Sequence, residues 1–525
     1  MEQQLEERKK KFLEKIKKEN KWIIYGILAI IVWFSYYIRT RNLPLLTDVV
    51  TGKYIAADLD AQLFMRYSQY ILEHGRLFAI DFMRNYPLGF PTAIETPLLP
   101  YFTVYLYKFM HFFSPSITIE YVDVVYPAIV TIVTLIFFFL MVRRLFNNIV
   151  AVVATGILAV LPAFLMRTIS GYGDKEALAV MFMFMAFYFY VVSWQAEKTK
   201  NHLILGALAG VSTGLTGLVW GGVNFIFMII GVFVVIEITL GRFKEKEFYS
   251  YFAFYIITVL MLLLFGGERF TIISIMASST AGAMSLAFLM SIIDYVVMKK
   301  DKFKIREKIT KKMPEGVVTL LIALAIGTIA TSIFVDWNFI VHKPYSMIYD
   351  MLYPLKDRWA LTVAESHEPY ITDWIGQFGL TFMLIFITAS IIMVYEAVKG
   401  IKKYKWHIVS FYTIFIFAFI FSRYSRDSTL NGVSGIAQVM YLGSLALLII
   451  GTVAFYIYAL KKDKETYNEI TKMDKSFIFT LIFFIIMIMA ARRAIRLVFI
   501  FAPIVSVLAA YFFYKMYEYA KTLKK

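Results

Sequence analysis

The stretch ILAVLPAFLMRTISGYGDKEALAVMFMFMAFYFYVV, residues 157–192, sets two long apolar runs around twelve residues that carry an arginine, a lysine, two acids and two glycines. About 20 apolar residues are needed for a helix to cross ~30 Å of hydrocarbon. The polar insert therefore reads as a turn where one span leaves the membrane and the next enters it. The same pattern recurs along most of the chain. Hydrophobic residues make up 60% and charged residues 17% of its 525 positions, far from the balance of a soluble domain. Only helices and closed barrels satisfy the backbone in lipid, and runs such as FYIITVLMLLLF (254–265) lack the period-2 alternation of a barrel strand. The fold class is an all-α polytopic membrane protein. With no cysteine, disulfides and thiolate metal sites are excluded. The first apolar run follows a long charged segment without a small-residue cleavage site, so it reads as a span and not a removable signal.

The net charge of +17 is unevenly placed. Basic residues gather in short loops such as VRRLFNN, GRFKEKE, MKKDKFKIREKITKKM and VKGIKKYKW, separated by pairs of spans. Such loops stay in the cytoplasm, so the charge is a topology signal and no nucleic-acid partner is expected. Fourteen spans are predicted, near 22–40, 122–142, 149–166, 176–194, 203–219, 221–240, 249–265, 271–297, 316–335, 376–397, 407–422, 437–460, 475–491 and 495–515. A basic cytoplasmic segment (1–21) precedes a multi-span domain (22–515), and a short basic tail (516–525) follows. An even count leaves both termini in the cytoplasm of a multi-pass cell-membrane protein. The long external segments are then 41–121 and 336–375, with a second acidic loop at 167–176. The apolar stretch LLPYFTVYLYKFMHFF (98–113) would reverse every later loop if it spanned, so it is expected to lie in the interface. Gly221-Gly222 and Gly266-Gly267 read as tight external turns.

This topology places acids from three separate segments on the external side. Asp58 and Asp60 lie in the first external segment, Asp174 and Glu176 in the second acidic loop, and Asp336, Asp350, Asp357, Glu365, Glu368 and Asp373 in the third. Acids spaced i, i+2 in extended or turn backbone can converge on a hard divalent cation, Mg²⁺ or Mn²⁺, which takes a few carboxylates and keeps other positions for water or phosphate. Each pattern alone is common. A loop acid is usually solvated, Asp174 and Glu176 suit a helix N-terminus, and Arg167 or Arg496 suits a snorkelling position. Lys175 reads as a solvated loop residue, and Asp294 as reaching the interface near a span's cytoplasmic end. His367 and Glu368 are candidates to join the metal shell, against the commoner role of a lone histidine as a hydrogen-bonding bystander.

At this point DAQLFMRYSQYILEHG (60–75) resembles the first external loop of the catalytic subunit family of oligosaccharyltransferases. Asp60, Arg66, Glu73 and Gly75 stand where that family has an acid, an arginine six positions on, a glutamate and a helix-ending glycine. RTISGYGDKEAL is similar to its second acidic motif, with Arg167 seven residues before Asp174 and Glu176 following. TVAE (362–365) resembles the motif of the large external loop. RLVFIFAP (496–503) resembles the span whose arginine, seven residues before a proline, faces the donor's phosphates. RTRNLPLL (39–46) and YPLGFPT (86–92) look like archaeal members.

The resemblance implies a GT-C-type glycosyltransferase fold of about 13–14 spans. It implies transfer of a glycan from a polyprenyl or dolichyl (pyro)phosphate to the asparagine amide of an N-x-Ser/Thr sequence in an acceptor polypeptide. In that reading Asp60 and Glu365 act on the acceptor amide. Asp60, Asp174 and Glu365 hold Mn²⁺ or Mg²⁺, with Glu176 nearby and Asp58 and His367 as further candidates. Arg496, and secondarily Arg167, faces donor phosphate. The chain departs from the family twice. All eight tryptophans are isolated, so the Trp-Trp-Asp-x-Gly motif and the C-terminal soluble acceptor-recognition domain that carries it are expected to be absent. The chain then reads as a fragment, a natural short form, or one half of a split enzyme whose partner chain supplies that domain. The interval from Glu365 to Arg496 also exceeds the family pattern by enough for two spans. Competing readings are another polytopic glycosyltransferase using a lipid-phosphate sugar, a lipid-linked-glycan transporter, and an inactive scaffold. Ionisable groups deep in the spans, as a transporter needs, are scarce.

Overall fold

Where apolar side chains run on without interruption, the backbone can satisfy its own polar groups only by coiling. The computed structural model, which describes residues 21–278, 280–352 and 362–523, is accordingly helical. The basic segment expected at 1–21 lies, but for Lys21, outside the described residues, as do Asp357 and the last two residues of the tail. Among the described residues eleven helices are long and apolar enough to cross a membrane. Three shorter apolar helices, Asn148–Val160, Val223–Thr239 and Lys405–Phe421, bring the total to fourteen.

Three expected spans are interrupted, each for a local reason. The run expected over 149–166 stops at Val160, because Leu161 precedes a proline and takes extended backbone; Pro162–Leu165 forms a separate turn. The run expected over 271–297 opens as a short helix, Ile272–Ala277, capped by the Thr271 hydroxyl. The membrane helix itself begins at Ala281 and passes into a π-helical turn, Asp294–Lys299, in which Asp294 is buried against the protein. Near 376–397, Gly379 with φ +81° divides Ile371–Phe378 from Leu380–Ala397. The last helix continues to Leu523, beyond its expected end.

Helices Ile119–Leu145, Lys175–Trp194 and Val498–Leu523 are mostly buried, and Phe138 of the first packs edge to face on Phe184 of the second at 5.2 Å. Helices Glu315–Phe334 and Gly435–Lys462 are largely exposed and stand at the outside. The 98–113 stretch forms the helix Leu98–Phe113, about 24 Å long at 1.5 Å per residue. It buries Leu99, Pro100 and Val104 and exposes Tyr105, Phe109 and Phe112. Ahead of it, strands Ile80–Asp81 and Phe90–Pro91 pair as a small antiparallel hairpin.

One close helix approach was not foreseen. In Thr199–Val219 the glycines 206, 210, 214 and 217 face helix Glu245–Phe265. A Cβ at Gly206 would strike the Ser250 carbonyl, and one at Gly210 would stand 2.8 Å from the Phe254 carbonyl oxygen. Small residues at this spacing let backbones meet where no hydrophobic effect pulls helices together. Gly210→Ala should therefore lower the thermal unfolding temperature in detergent. Gly327→Ala, at a helical position with open space around it, should leave it unchanged or raised; equal shifts in the two variants would refute this packing role.

Candidate active site

Two helix starts bring the acids together. Asp58 is the N-cap of helix Leu59–His74 without using its side chain as a cap, and Asp60 lies in the first turn. Asp174 caps Lys175–Trp194, its Oδ1 accepting the Lys175 N–H at 2.7 Å, and Glu176 lies in that first turn. Both starts direct the positive ends of helix dipoles at the acids. Gly171, at φ +91°, lets the second loop pass against Leu46 and Ala57. Its carbonyl accepts the Ala57 N–H at 2.9 Å, and its own N–H reaches the Val124 carbonyl at 2.8 Å. From the other side the buried Tyr126 hydroxyl donates to the Asp174 carbonyl at 2.6 Å.

The result is a group of three carboxylates, Asp58, Asp60 and Asp174, with one oxygen of each within 4.8 Å of the others. Asp60 is exposed as a residue, but partial burial of its carboxyl, followed by the charges of Asp174 and Asp58, holds its pKa above the ordinary value. An all-oxygen donor set under mutual repulsion fits a hard divalent cation.

The remaining candidates lie around this group. Glu176 is buried in the first turn of its helix, and one carboxylate oxygen finds no hydrogen-bond partner. Glu365 stands outside the three-acid group. It accepts from Arg167 at 2.5 Å and lies 3.8 Å from Arg496. Burial disfavours the Arg167 cation, but the Glu365 carboxylate outweighs this and raises its pKa. A cavity of about 220 Å³ joins the two sets, lined by Asp58, Arg167, Tyr172, Glu365, Gln377 and Arg496. His367 contributes its carbonyl to the Ile495 N–H at 2.9 Å, which ties the TVAE segment to the turn bearing Arg496. Glu368 is buried against arginines, 2.8 Å from Arg492, 3.3 Å from Arg423 and 3.5 Å from Arg493. Of the other motif residues, Glu73 is exposed beside His74, Arg66 pairs with Asp81, and Gly75 closes its helix at φ +78°.

The family model described as "Oligosaccharyl transferase STT3, N-terminal" matches residues 23–461. The chain belongs to the STT3 family. A subunit STT3B of a dolichyl-diphosphooligosaccharide–protein glycosyltransferase from Oryza sativa subsp. japonica is 21% identical over 382 residues, 68% of this chain and 47% of that protein. The chain thus spans about half the length of that STT3 relative. The fold is similar to that of the archaeal oligosaccharyltransferase AglB from Archaeoglobus fulgidus, solved with an inhibitory peptide and a dolichol-phosphate. The TM-score is 0.65 at 16% identity, over 96% of this chain and 51% of that one. A crystal structure of the Archaeoglobus fulgidus oligosaccharyltransferase complexed with Zn and sulfate aligns with a TM-score of 0.50 at 16% identity, over 91% of this chain and 53% of that one. The GT-C-type membrane fold expected from the motifs is therefore the fold of this STT3 chain.

Two site neighbours had no local signature. Lys175 was expected to be solvated, yet its ammonium is 2.7 Å from a Glu95 carboxylate oxygen and 4.9 Å from the centre of the Phe64 ring. Glu368 meets its arginines across 55 to 125 positions of sequence, too far for any motif to signal. Removing it strands two buried guanidiniums. Glu368→Gln should destabilise the protein by about 3–5 kcal/mol, read as a lower unfolding temperature in detergent; an unchanged temperature would show the pairs to be dispensable.

Proposed function

We propose that this chain is the membrane-embedded catalytic part of a glycosyltransferase that moves a glycan from a polyprenyl or dolichyl (pyro)phosphate to the amide nitrogen of an acceptor asparagine. One observation carries the reading. Carboxylates from chain-distant loops lie within 4.8 Å of one another, and one of them, Asp58, lines a cavity together with Arg167, Glu365 and Arg496. Family membership and the dolichol-phosphate and peptide bound by the archaeal relative support the same donor and acceptor classes.

A carboxamide nitrogen is a poor nucleophile because its lone pair is delocalised into the carbonyl. Carboxylates that accept hydrogen bonds from both of its N–H groups favour a twisted amide with a localised pair, and Asp60 and Glu365 are assigned that task. The leaving group is an anionic lipid phosphate. Arg496 has a planar fork suited to phosphate oxygens, and Arg167 orients Glu365 through their ion pair. Asp58, Asp60 and Asp174 would hold Mn²⁺ or Mg²⁺, with Glu176 and Glu365 as nearby acids. When bound, such an ion supplies Lewis-acid stabilisation of developing negative charge. These assignments put the electrostatic machinery where charge develops, usually the largest catalytic term.

Asp60→Ala and Glu365→Gln should each reduce transfer from a lipid-linked oligosaccharide to an N-x-Ser/Thr peptide by ~100-fold or more, with the protein still folded in detergent. Arg496→Ala should weaken binding of a lipid-phosphate analogue more than binding of the peptide. Wild-type transfer in the first two variants would sink the site assignment. The site is assigned to the external face and the basic loops to the cytoplasm. Because the chain has no cysteine, Thr51→Cys and Lys302→Cys give clean reporters. A membrane-impermeant maleimide should label position 51 in intact cells and position 302 only after permeabilisation; the reverse result would turn the molecule over.

A further inference from the structure

Arg66 and Tyr67 lie on the helix that begins at the Asp58–Asp60 end, and Lys175 directly follows Asp174. An unbroken line of polar side chains joins these two places through the first external segment. Arg66 Nη1 donates to Asp81 Oδ1 at 3.0 Å, and the Tyr67 hydroxyl donates to Asp81 Oδ2 at 3.0 Å. Arg84 Nη1 donates both to the Tyr67 oxygen at 3.1 Å and to Glu95 Oε2 at 3.1 Å. Lys175 Nζ completes the line at Glu95 Oε1, 2.7 Å away. Tyr67 and Asp81 are buried, and Glu95 is 9% exposed. Glu95 thus uses both oxygens, and its Oε1 also accepts the Thr96 N–H at 3.1 Å.

We infer that Glu95 is a positioning residue for the acidic group: by holding Lys175 it fixes the Asp174 turn against the helix that carries Asp58 and Asp60. This inference rests on the divalent-cation reading of that group. Three carboxylates this close push one another apart, so their spacing has to be imposed from outside. Tyr126 grips the Asp174 carbonyl on one side, and the Glu95–Lys175 pair grips the next residue on the other. A charged pair largely withdrawn from water, as here, has a defined geometry, because little solvent competes for either partner. The line also carries three cations, Arg66, Arg84 and Lys175, against two carboxylates, Asp81 and Glu95. The surplus positive charge ends beside the acids, and Lys175 is a cation acting on the Asp60 carboxyl. Residues that orient metal ligands in this way typically change metal affinity 10- to 100-fold when altered.

Binding of Mn²⁺ to the full chain in detergent, followed by the electron paramagnetic resonance signal of the free ion, reads this without turnover. Glu95→Gln should raise the dissociation constant by about 10-fold or more, with transfer recovering at high Mn²⁺. Lys175→Met tests the same link from its other end, at a side chain 21% exposed on a first helical turn, and should match it. Lys175→Arg, which keeps the charge and can still reach Glu95, should stay within about 3-fold of wild type. Wild-type affinity in folded Glu95→Gln or Lys175→Met, or equal losses in Lys175→Met and Lys175→Arg, would overturn the positioning role. Asp174→Asn separates the two readings. If it binds Mn²⁺ like wild type, the metal assignment fails; if it loses the ion while Glu95→Gln does not, only the present inference fails.

Discussion

Mutual repulsion among Asp58, Asp60 and Asp174 is the constraint around which this end of the molecule is built. Like charges within 4.8 Å separate unless the surroundings make separation costlier. Several compensations act at once. Two helix N-termini point their dipoles at the group. Main-chain bonds through Gly171 tie both loops to each other and to the helix behind them. Lys175 brings a cation to within reach of Asp60. None of these alone fixes three side chains, but each removes a different direction in which they could move apart.

The cavity that Asp58 lines also meets a basic group. A single short turn, Ala364–Ser366, and the residues just after it send one carboxylate toward Arg167 and Arg496 and another toward Arg423, Arg492 and Arg493. Five guanidiniums thus surround two glutamates. The buried pair at Glu368 holds the frame, while the half-exposed pair at Glu365 lines the cavity. Acidic and basic groups lining one cavity give a polarised chamber at the end of an otherwise oily bundle.

The architecture was legible because hydrocarbon imposes one rule on every span, and fourteen apolar runs became fourteen apolar helices. Boundaries were less legible where a single residue overrides the run, as at Pro162 and Gly379. In the site, motif resemblance singled out Asp60, Asp174, Glu365 and Arg496, and all four lie around one cavity and its acidic edge. It could not say that Glu365 meets arginines while Asp58 joins the other aspartates. That depends on which way a short turn faces, and the turn is set by an N–H of Ile495 bonding to the carbonyl of His367. Lys175 and Glu95 were missed for a related reason. An ion pair spanning 80 positions leaves no periodicity and no spacing to read.

The glycine-lined seam between Thr199–Val219 and Glu245–Phe265 reaches further than its own two helices. At the far end of the second one, the Gly267 backbone lies so close to Ala93 that a Cβ there would stand 2.5 Å from its carbonyl oxygen. Ala93 is two residues from Glu95. The zipped pair is therefore a mast about 30 Å tall to which the loop carrying Ala93 and Glu95 is moored. Prying it open near Gly206, at the other end of the pair, would tug the acidic chamber without touching any residue that lines it.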